Sequence, residues 1–303
     1  MAHTPGAPRL LPRALCSPEP WKTGHGSCFS FETPMIGRFC SIVRGRSPVV
    51  ATAIHDGHRV RPEVARLLAI DEATRLREED AHTSAFTTVS DTRVIVHRSR
   101  FEVDVNRPRD LAIYAAPEQA WNLCVYRELP PHDVVERSLA EYDEFYAEVA
   151  ELLEDVEAAH GGFLLLDIHS YNHRRDGPNA PPADPATHPN VNLGTGTMPP
   201  ERWAPLVDRF RRDLAAELVE GEPLDVRENV KFSGGQFPRW VHQRFPETGC
   251  ALAIELKKTF MDEWTGALDS GRAQALGRAL AAALPGAIEE LCKLTEPRRR
   301  RSA

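Results

Sequence analysis

GFLLLDIHS, residues 162–170, is the clearest strand signal in this sequence of 303 residues. Its apolar run at 162–166 has the length of a buried strand and is too short to cross a membrane. Gly161 precedes the run and polar residues follow it, which is typical of a strand that ends at the edge of a sheet. The segment therefore predicts a buried strand with an aspartate and a histidine near its carboxyl end.

Short apolar runs and longer amphipathic segments alternate along the rest of the chain. Leu276, Leu280 and Leu284 repeat on one face of the segment at 270–294, as expected of a helix packed on a sheet. This alternation predicts an α/β fold: a single three-layer domain with a mixed, largely parallel central sheet flanked by helices. Strands are predicted at 48–54, 92–97, 101–105, 162–168 and 251–256, and helices at 135–159, 200–220 and 270–294.

The two ends of the chain differ in composition from its middle. Residues 1–45 carry many Pro, Gly and Ser without a period, which predicts an irregular N-terminal lead-in with one or two edge strands. Residues 46–296 are predicted to form the α/β domain, and a basic tail follows at 297–303. Residues 176–190 hold five prolines and are expected to form a loop, which at this length is uncommon unless it serves a site.

The composition excludes several classes of protein. A net charge of −7 argues against a nucleic-acid binder, which needs a basic face. No apolar stretch approaches the roughly 18 residues of a membrane span, and no secretory signal is recognisable, so a cytoplasmic protein is expected. Six scattered cysteines without a CxxC spacing argue against a disulfide scaffold or a cysteine-rich zinc module. Neither a nucleic-acid nor a membrane partner is expected, and the sequence does not indicate an oligomeric state.

Polar residues that follow apolar runs are candidates for chemistry, because ligands of open α/β sheets bind at the carboxyl ends of strands. His55 and His169 end two predicted strands, and Glu255 lies within the last one. Asn106 and Arg107 follow the predicted strand at 101–105, and an acidic segment occupies 77–82. Two histidines, carboxylates and an arginine suffice for a hydrolase in which three ligands hold zinc and a fourth position is left for water.

Five segments, taken in order, resemble the N-formylglutamate amidohydrolase family, which is related to zinc carboxypeptidases and aspartoacylase-like hydrolases. The resemblance extends from about Ser47 to Glu263, and a shorter match, NLGT, lies at 192–195. The segments are AIHDG at 53–57, EDAHT at 79–83, SRFEVDVNRP at 99–108, DIHS at 167–170, and KFSGGQFPR at 231–239 followed by IELKKTFMDE at 254–263.

This resemblance implies a zinc carboxypeptidase-like fold and a site with one Zn²⁺ ion. Carried over by position, it implies that His55, Asp80 and His169 bind the metal. Glu255 is then the general base that takes a proton from water and returns it to the departing amine. Arg107 is expected to bind a substrate carboxylate with both ends of its planar fork, aided by Asn106, and Arg239 to supply a second cation.

The second metal ligand has alternatives. Glu79 is adjacent to Asp80, and His58 stands where the wider carboxypeptidase pattern has a glutamate, so Glu79, Asp80 and His58 all remain candidates. Asp167 shares a strand face with His169 and is a candidate to orient the imidazole. Supporting ion pairs are expected between Arg100 and Asp104, and, as an alternative to catalysis, between Glu255 and Lys257 or Lys258.

The function expected from these residues and this resemblance is a zinc-dependent amidohydrolase. Its substrate would be a small N-acyl amino acid with a free carboxylate, and the family suggests N-formylglutamate. Two alternatives belong to the same enzyme class: a zinc carboxypeptidase and a deacylase of other N-acyl amino acids. A third alternative is a catalytically silent zinc-binding module.

Overall fold

The computed structural model of the protein describes residues 38–296. The strands are β1 (Cys40–Val43), β2 (Val49–Ala53), β3 (Thr92–Val96), β4 (Phe163–Tyr171), β5 (Val191–Gly194), β6 (Leu218–Val219), β7 (Glu222–Pro223), β8 (Val226–Glu228) and β9 (Gly249–Lys257). The helices are α1 (Pro62–Ala65), α2 (Glu72–Glu78), α3 (His132–His160), α4 (Pro200–Ala215), α5 (Gln236–Arg244) and α6 (Ser270–Thr295).

Seven strands form one sheet in the order β1-β3-β2-β4-β9-β5-β8, and β6 and β7 form a separate hairpin. The pairs β2–β3, β2–β4, β4–β9 and β5–β8 are parallel, whereas β1–β3 and β5–β9 are antiparallel. The predicted mixed, largely parallel sheet is therefore confirmed. β4 and β9, which the sequence predicts as 162–168 and 251–256, lie side by side in the middle of the sheet.

Helices cover both faces of the sheet, which confirms the three-layer α/β fold. Alternate residues of β4 and β9 point to opposite faces because the side-chain period of a strand is two. Leu166 and Leu252 pack in one core with α4 and α6, and Leu165 and Ala251 pack in another with α3 and α5. On the second face, the apolar residues that pack with α3 and α5 come from the first halves of β4 and β9, and the later residues Asp167, His169 and Glu255 are polar.

The predicted helices are confirmed, with one change of boundary. α4 ends at Ala215, not at residue 220. The chain reverses at Glu220 and Gly221, which have positive φ angles of 56° and 87° and connect β6 to β7. A left-handed backbone at two successive residues cannot continue a right-handed helix.

The prediction of a strand at 101–105 is wrong, because this segment forms turns. The backbone amide of Glu102 donates to the carbonyl of Ser99, and that of Asp104 donates to the carbonyl of Ala112. Phe101 is buried in one core while Val103 and Val105 are buried in another. The alternating pattern of the segment thus reflects burial in two separate cores and not the two faces of a sheet.

Other boundaries also differ from the sequence predictions. β1 falls within the predicted lead-in, as an edge strand paired with β3, so the sheet begins before residue 46. The short strands β5 and β8 were not predicted, whereas 176–190 is a loop as expected. The rest of the lead-in, residues 1–37, and the basic tail at 297–303 lie outside the described residues. Within residues 38–296, no helix has the length and apolar character needed to span a membrane.

Replacement of Leu252 by alanine tests the central position of β9. Leu252 is 0% exposed and packs in the core formed with α4 and α6. The Leu252→Ala variant should lose about 3 kcal/mol of unfolding free energy, because a cavity remains where the side chain was. Urea denaturation should show a lower midpoint with an unchanged slope. The matched Leu129→Ala variant, at a residue 60% exposed, should change the free energy by less than about 0.5 kcal/mol. Equal losses in both variants would contradict this account of the core.

Candidate metal and catalytic site

His55, Asp80 and His169 meet at the carboxyl ends of the parallel strands. His55 lies two residues beyond β2, Asp80 two residues beyond α2, and His169 near the end of β4. All three are buried, and one ligand atom from each lies within 4.8 Å of the others. Asp80 Oδ2 is 2.9 Å from Nδ1 of His169 and 3.4 Å from Nδ1 of His55. The same nitrogen of both imidazoles therefore faces a single carboxylate.

The outer nitrogens of the two imidazoles are held by two further carboxylates. Nε2 of His55 lies 2.7 Å from Asp104 Oδ1, and Nε2 of His169 lies 2.9 Å from Asp167 Oδ2. Thr52 Oγ1 donates to Asp167 at 2.8 Å. An imidazole that donates through Nε2 presents the lone pair of Nδ1, so these carboxylates turn both Nδ1 atoms inward as metal donors. Asp167 is therefore placed to orient the imidazole of His169, the role for which the sequence made it a candidate.

The cluster fits a zinc ion by its chemistry and by one polar atom without a partner. Nδ1 of His55 is buried and has no hydrogen-bond partner among the described residues. A buried nitrogen of this kind is costly unless it is bound by a donor or a metal. Two imidazole nitrogens and one carboxylate oxygen are a donor set that zinc uses with an open fourth position.

Glu79 and His58 lie beside the cluster and bind each other. Nδ1 of His58 contacts Glu79 Oε2, and Ser99 Oγ donates to Glu79 Oε1. Arg75 Nη1 is 3.5 Å from the same carboxylate. Of the three candidates for the second ligand, Asp80 alone joins the two histidines in the group that could hold a metal.

Lys258 fixes the segment that carries Asp80. The side chain is 2% exposed, and its Nζ donates to the carbonyls of Arg77 at 2.6 Å and Glu79 at 2.7 Å. The backbone amide of Asp80 donates to the carbonyl of His55 at 2.9 Å. Two contacts from different elements therefore set the position of Asp80. The sequence singled out Lys258 only as a possible partner of Glu255.

Glu255 lies next to His169 in the sheet. The two residues are partners in the register of β4 and β9, and Asn192 of β5 is the partner of Glu255 on its other side. Burial raises the pKa of the Glu255 carboxyl to about 8, with Asp80 and Asp167 acting in the same direction. Lys257 and Lys258 donate to backbone carbonyls, so the alternative that they neutralise Glu255 is wrong. A divalent cation at the cluster would lower this pKa, because it favours the ionised carboxylate.

Three arginines line a cavity of about 340 Å³ beside the cluster. Arg100 pairs with Asp104 at 2.9 Å, as the sequence predicts, and thereby links the cavity to His55. Arg107 donates to the carbonyl of Gln119 at 2.5 Å and lies over the ring of Tyr114. Arg239 is exposed and forms no ion pair with any residue in 38–296. The other lining residues are Asp104, Asn106, Pro108, Gly234, Gly235 and Gln236.

Asn106 connects the arginine cavity to the histidines. Its Oδ1 accepts from the amide of Phe237 at 2.9 Å, and its Nδ2 is 3.5 Å from Nε2 of His169. A Cβ atom at Gly235 would lie only 2.3 Å from Asn106 Oδ1, so glycine is needed for this close approach. The structure brings together the seven residues singled out in the sequence: His55, Asp80, Asn106, Arg107, His169, Arg239 and Glu255.

Sequence reasoning missed two features of the site. Asp104 was expected only as an ion-pair partner of Arg100, but it also holds His55. The position of Asp104 within the segment SRFEVDVNRP could have indicated this second contact, since a carboxylate buried there needs hydrogen-bond partners. Trp121 lies against Arg100 at 4.8 Å and against Arg175 at 5.7 Å. The sequence around Trp121 contains no motif that predicts these contacts.

Fold and site together define a class: α/β proteins with a buried cluster of metal-ligand type at the carboxyl ends of the strands. The family model of N-formylglutamate amidohydrolase matches residues 47–261. The chain belongs to this family, as its motifs indicate, and is therefore grouped with hydrolases of small-molecule amides.

Solved structures show the same fold. An N-formylglutamate amidohydrolase from Ralstonia eutropha JMP134 is 20% identical with a TM-score of 0.64, covering 85% of this chain and 97% of that chain. A gene product from Agrobacterium tumefaciens is 16% identical with a TM-score of 0.56, covering 84% and 96%. None of the curated proteins compared matches this sequence.

Replacement of Lys258 by methionine tests how Asp80 is positioned. The Lys258→Met variant leaves one buried and one partly buried carbonyl without their donor, which should cost about 3 kcal/mol of unfolding free energy. Hydrogen exchange of the amides at 77–80 should become faster than in the native protein. Lys293→Met, which removes an exposed lysine from α6, serves as the control and should change neither quantity. Unchanged exchange in Lys258→Met would refute the anchoring role.

Proposed function

We propose that the protein is a zinc-dependent amidohydrolase that removes the acyl group from an N-acyl amino acid, with N-formylglutamate as the substrate the family suggests. The observation that carries this proposal is the convergence of His55, Asp80 and His169 on one point, with Glu255 beside it. A cavity lined by arginines adjoins the same point. Family membership over residues 47–261 supports the same reaction.

His55, Asp80 and His169 would hold one zinc ion through Nδ1, a carboxylate oxygen and Nδ1. When bound, zinc supplies Lewis acidity that activates water and polarises the amide carbonyl. Asp104 and Asp167 would keep the two imidazoles in the donating tautomer while the metal is present. Removal of either carboxylate would weaken the metal site without removing a ligand.

Glu255 would serve as general base and then as general acid. Its carboxylate takes a proton from the attacking water and gives it to the amide nitrogen as the C–N bond breaks. Burial raises the pKa of this carboxyl, and a cation held at the cluster would lower it again and favour the ionised form that accepts the proton. The products from N-formylglutamate are formate and glutamate.

The arginine cavity would bind the carboxylates of the amino-acid part. Arg107 matches a carboxylate with its fork of donors, and Asn106 and Arg239 extend the polar lining. The three guanidinium groups meet one carboxylate in the cavity lining, Asp104, so two positive charges are left to favour a substrate with two carboxylates, such as an N-acyl glutamate. This arrangement supports an acidic amino acid over a neutral one.

Replacement of Glu255 by glutamine tests the proposed reaction. The native protein loaded with zinc should bind about one ion per chain and hydrolyse N-formylglutamate. The Glu255→Gln variant should retain the zinc, whereas kcat should fall by about 10²–10⁴ because no general base remains. Metal analysis and formate release are the measurements.

Two other outcomes would favour the alternative functions. Zinc binding without turnover of any N-acyl amino acid would indicate a silent metal-binding module. Release of C-terminal residues from peptides, with no deformylation, would indicate a carboxypeptidase. Equal activity of Glu255→Gln and the native protein would exclude the role given to Glu255.

Replacement of Arg107 by methionine tests substrate binding. The Arg107→Met variant should raise KM for N-formylglutamate by about tenfold or more with a smaller change in kcat, because a charged hydrogen bond to the substrate is lost. Arg109→Met is a matched control, since Arg109 pairs with Asp143 on the surface of α3, and its KM should stay within about twofold. Steady-state kinetics of both variants decide the point, and an unchanged KM in Arg107→Met would refute the role of this arginine.

A further inference from the structure

Lys231 brings a second cation to the site from a different direction. Asn192, the neighbour of Glu255 on β5, accepts a hydrogen bond from the backbone amide of Lys231 at 2.9 Å. The side chain of Asn192 also donates to the carbonyl of Phe232 at 2.8 Å. Because Asn192 and Glu255 are register partners, their side chains share a sheet face. The backbone of Lys231 is therefore fixed beside Glu255.

The ammonium group of Lys231 lies beyond Glu255, over the end of β4. Its Nζ is 2.8 Å from Nε2 of His188 and 5.6 Å from the ring centroid of Tyr171. Tyr171 follows His169 by two residues and so shares its face. The long loop at 176–190, which the sequence predicts to serve a site, supplies His188. Loop and strand together hold the ammonium group in place.

Lys231 has no carboxylate partner in the described part of the chain. Its side chain is only partly buried, and an ammonium group offers three donors, of which His188 uses one. Of the cations nearby, Arg175 already pairs with Glu78 at 2.7 Å, and Lys257 donates to the carbonyl of His188 at 2.7 Å. Burial lowers the pKa of Lys231, the charge of Arg175 lowers it further, and the charge of Glu255 acts in the opposite direction. An anion would find an available donor at Lys231.

The arginine cavity and Lys231 lie on opposite sides of Glu255 along the strands. Gly234, which lines the arginine cavity, packs closely on Gly194: a Cβ atom at Gly194 would lie 2.7 Å from the amide nitrogen of Gly234. Gly194 in turn pairs with Ala253, two residues before Glu255 on β9. Tyr171 pairs with Lys257, two residues after Glu255. Each step of two residues along a strand is about 7 Å. The catalytic residues thus lie between two cationic groups.

We propose that Lys231 binds a carboxylate at the far end of the acyl group, so that the substrate class is an N-acyl amino acid whose acyl chain is a dicarboxylic acid of about four carbons. This rests on the proposed function, which puts the amino-acid carboxylates among the arginines and the scissile amide at Glu255. The acyl group then extends toward Tyr171 and Lys231. Tyr171 lies two residues beyond His169 on β4, a separation of about 7 Å, which exceeds the length of a one-carbon formyl group and matches an extended acyl chain of about four carbons.

The reaction with such a substrate is an ordinary hydrolysis. The oxygen of water bonds to the acyl carbon, the C–N bond breaks, and the proton taken by Glu255 passes to the nitrogen. Succinate and the free amino acid leave. The carboxylate held by Lys231 takes no part in bond making, so Lys231 determines specificity.

Binding to the zinc-loaded Glu255→Gln protein tests the proposal without turnover. Calorimetry would compare N-succinylglutamate with N-butanoylglutamate, which has the same number of acyl carbons and a methyl end. We expect the succinyl ligand to bind about tenfold more tightly, since one charged hydrogen bond distinguishes the two. Adding Lys231→Met should abolish this preference, and adding the matched surface change Lys293→Met should keep it.

Equal affinity for the two ligands, or equal weakening of both by Lys231→Met, would overturn the proposal, as would failure of N-succinylglutamate to bind. Circular dichroism of each variant confirms that the fold is retained. Turnover by the native protein is a separate readout. If neither N-formylglutamate nor N-succinylglutamate is hydrolysed, the proposed function fails, while a succinyl preference that depends on Lys231 would still support the carboxylate site.

Discussion

The site depends on a network of contacts between three buried carboxylates and the two imidazoles of His55 and His169. Asp80, Asp104 and Asp167 are each at most 3% exposed, and each contacts His55 or His169. Isolated buried charges are costly, whereas paired ones are tolerated when their hydrogen bonds are satisfied. Arg100 and Tyr114 add to the compensation of Asp104. The inward nitrogen of His55 is left over, and a cation at that point would complete the network.

The sheet provides the rigidity that this cluster needs. β4 and β9 pair over nine residues, and this register sets His169 beside Glu255. The remaining groups come from loops at the carboxyl ends of the strands, where side chains are free to serve chemistry because they are not needed for packing. Lys258 and Asn192 tie two of these loops back to the sheet through backbone atoms. Rigid strands thus position residues that lie up to 200 positions apart in the sequence.

Cations lie on two sides of Glu255, and under the proposed function they would bind the carboxylates of the substrate. Arg100, Arg107 and Arg239 line one cavity, and Lys231 lies beyond Glu255 in the opposite direction. The carboxylates of Asp80, Asp104, Asp167 and Glu255 lie between these cations, so the positive charge is found at the two ends of the site. Positive charge at both ends of the site would favour the proposed small substrate with carboxylates at both ends.

The sequence by itself determined the α/β class, the central strands β4 and β9, the long helices and the two histidines of the cluster. These features can be predicted locally, because the spacing of apolar residues and the polar residues at strand ends are both visible within short stretches of sequence. Only the tertiary structure decided that 101–105 is a loop, that Asp80 and not Glu79 joins the histidines, and that Asp104 holds His55. Each of these depends on partners distant in the chain. The position of a buried charged side chain depends on the polar groups that contact it. Those groups are distant in the sequence, so the hydrophobic pattern of its own segment does not predict them.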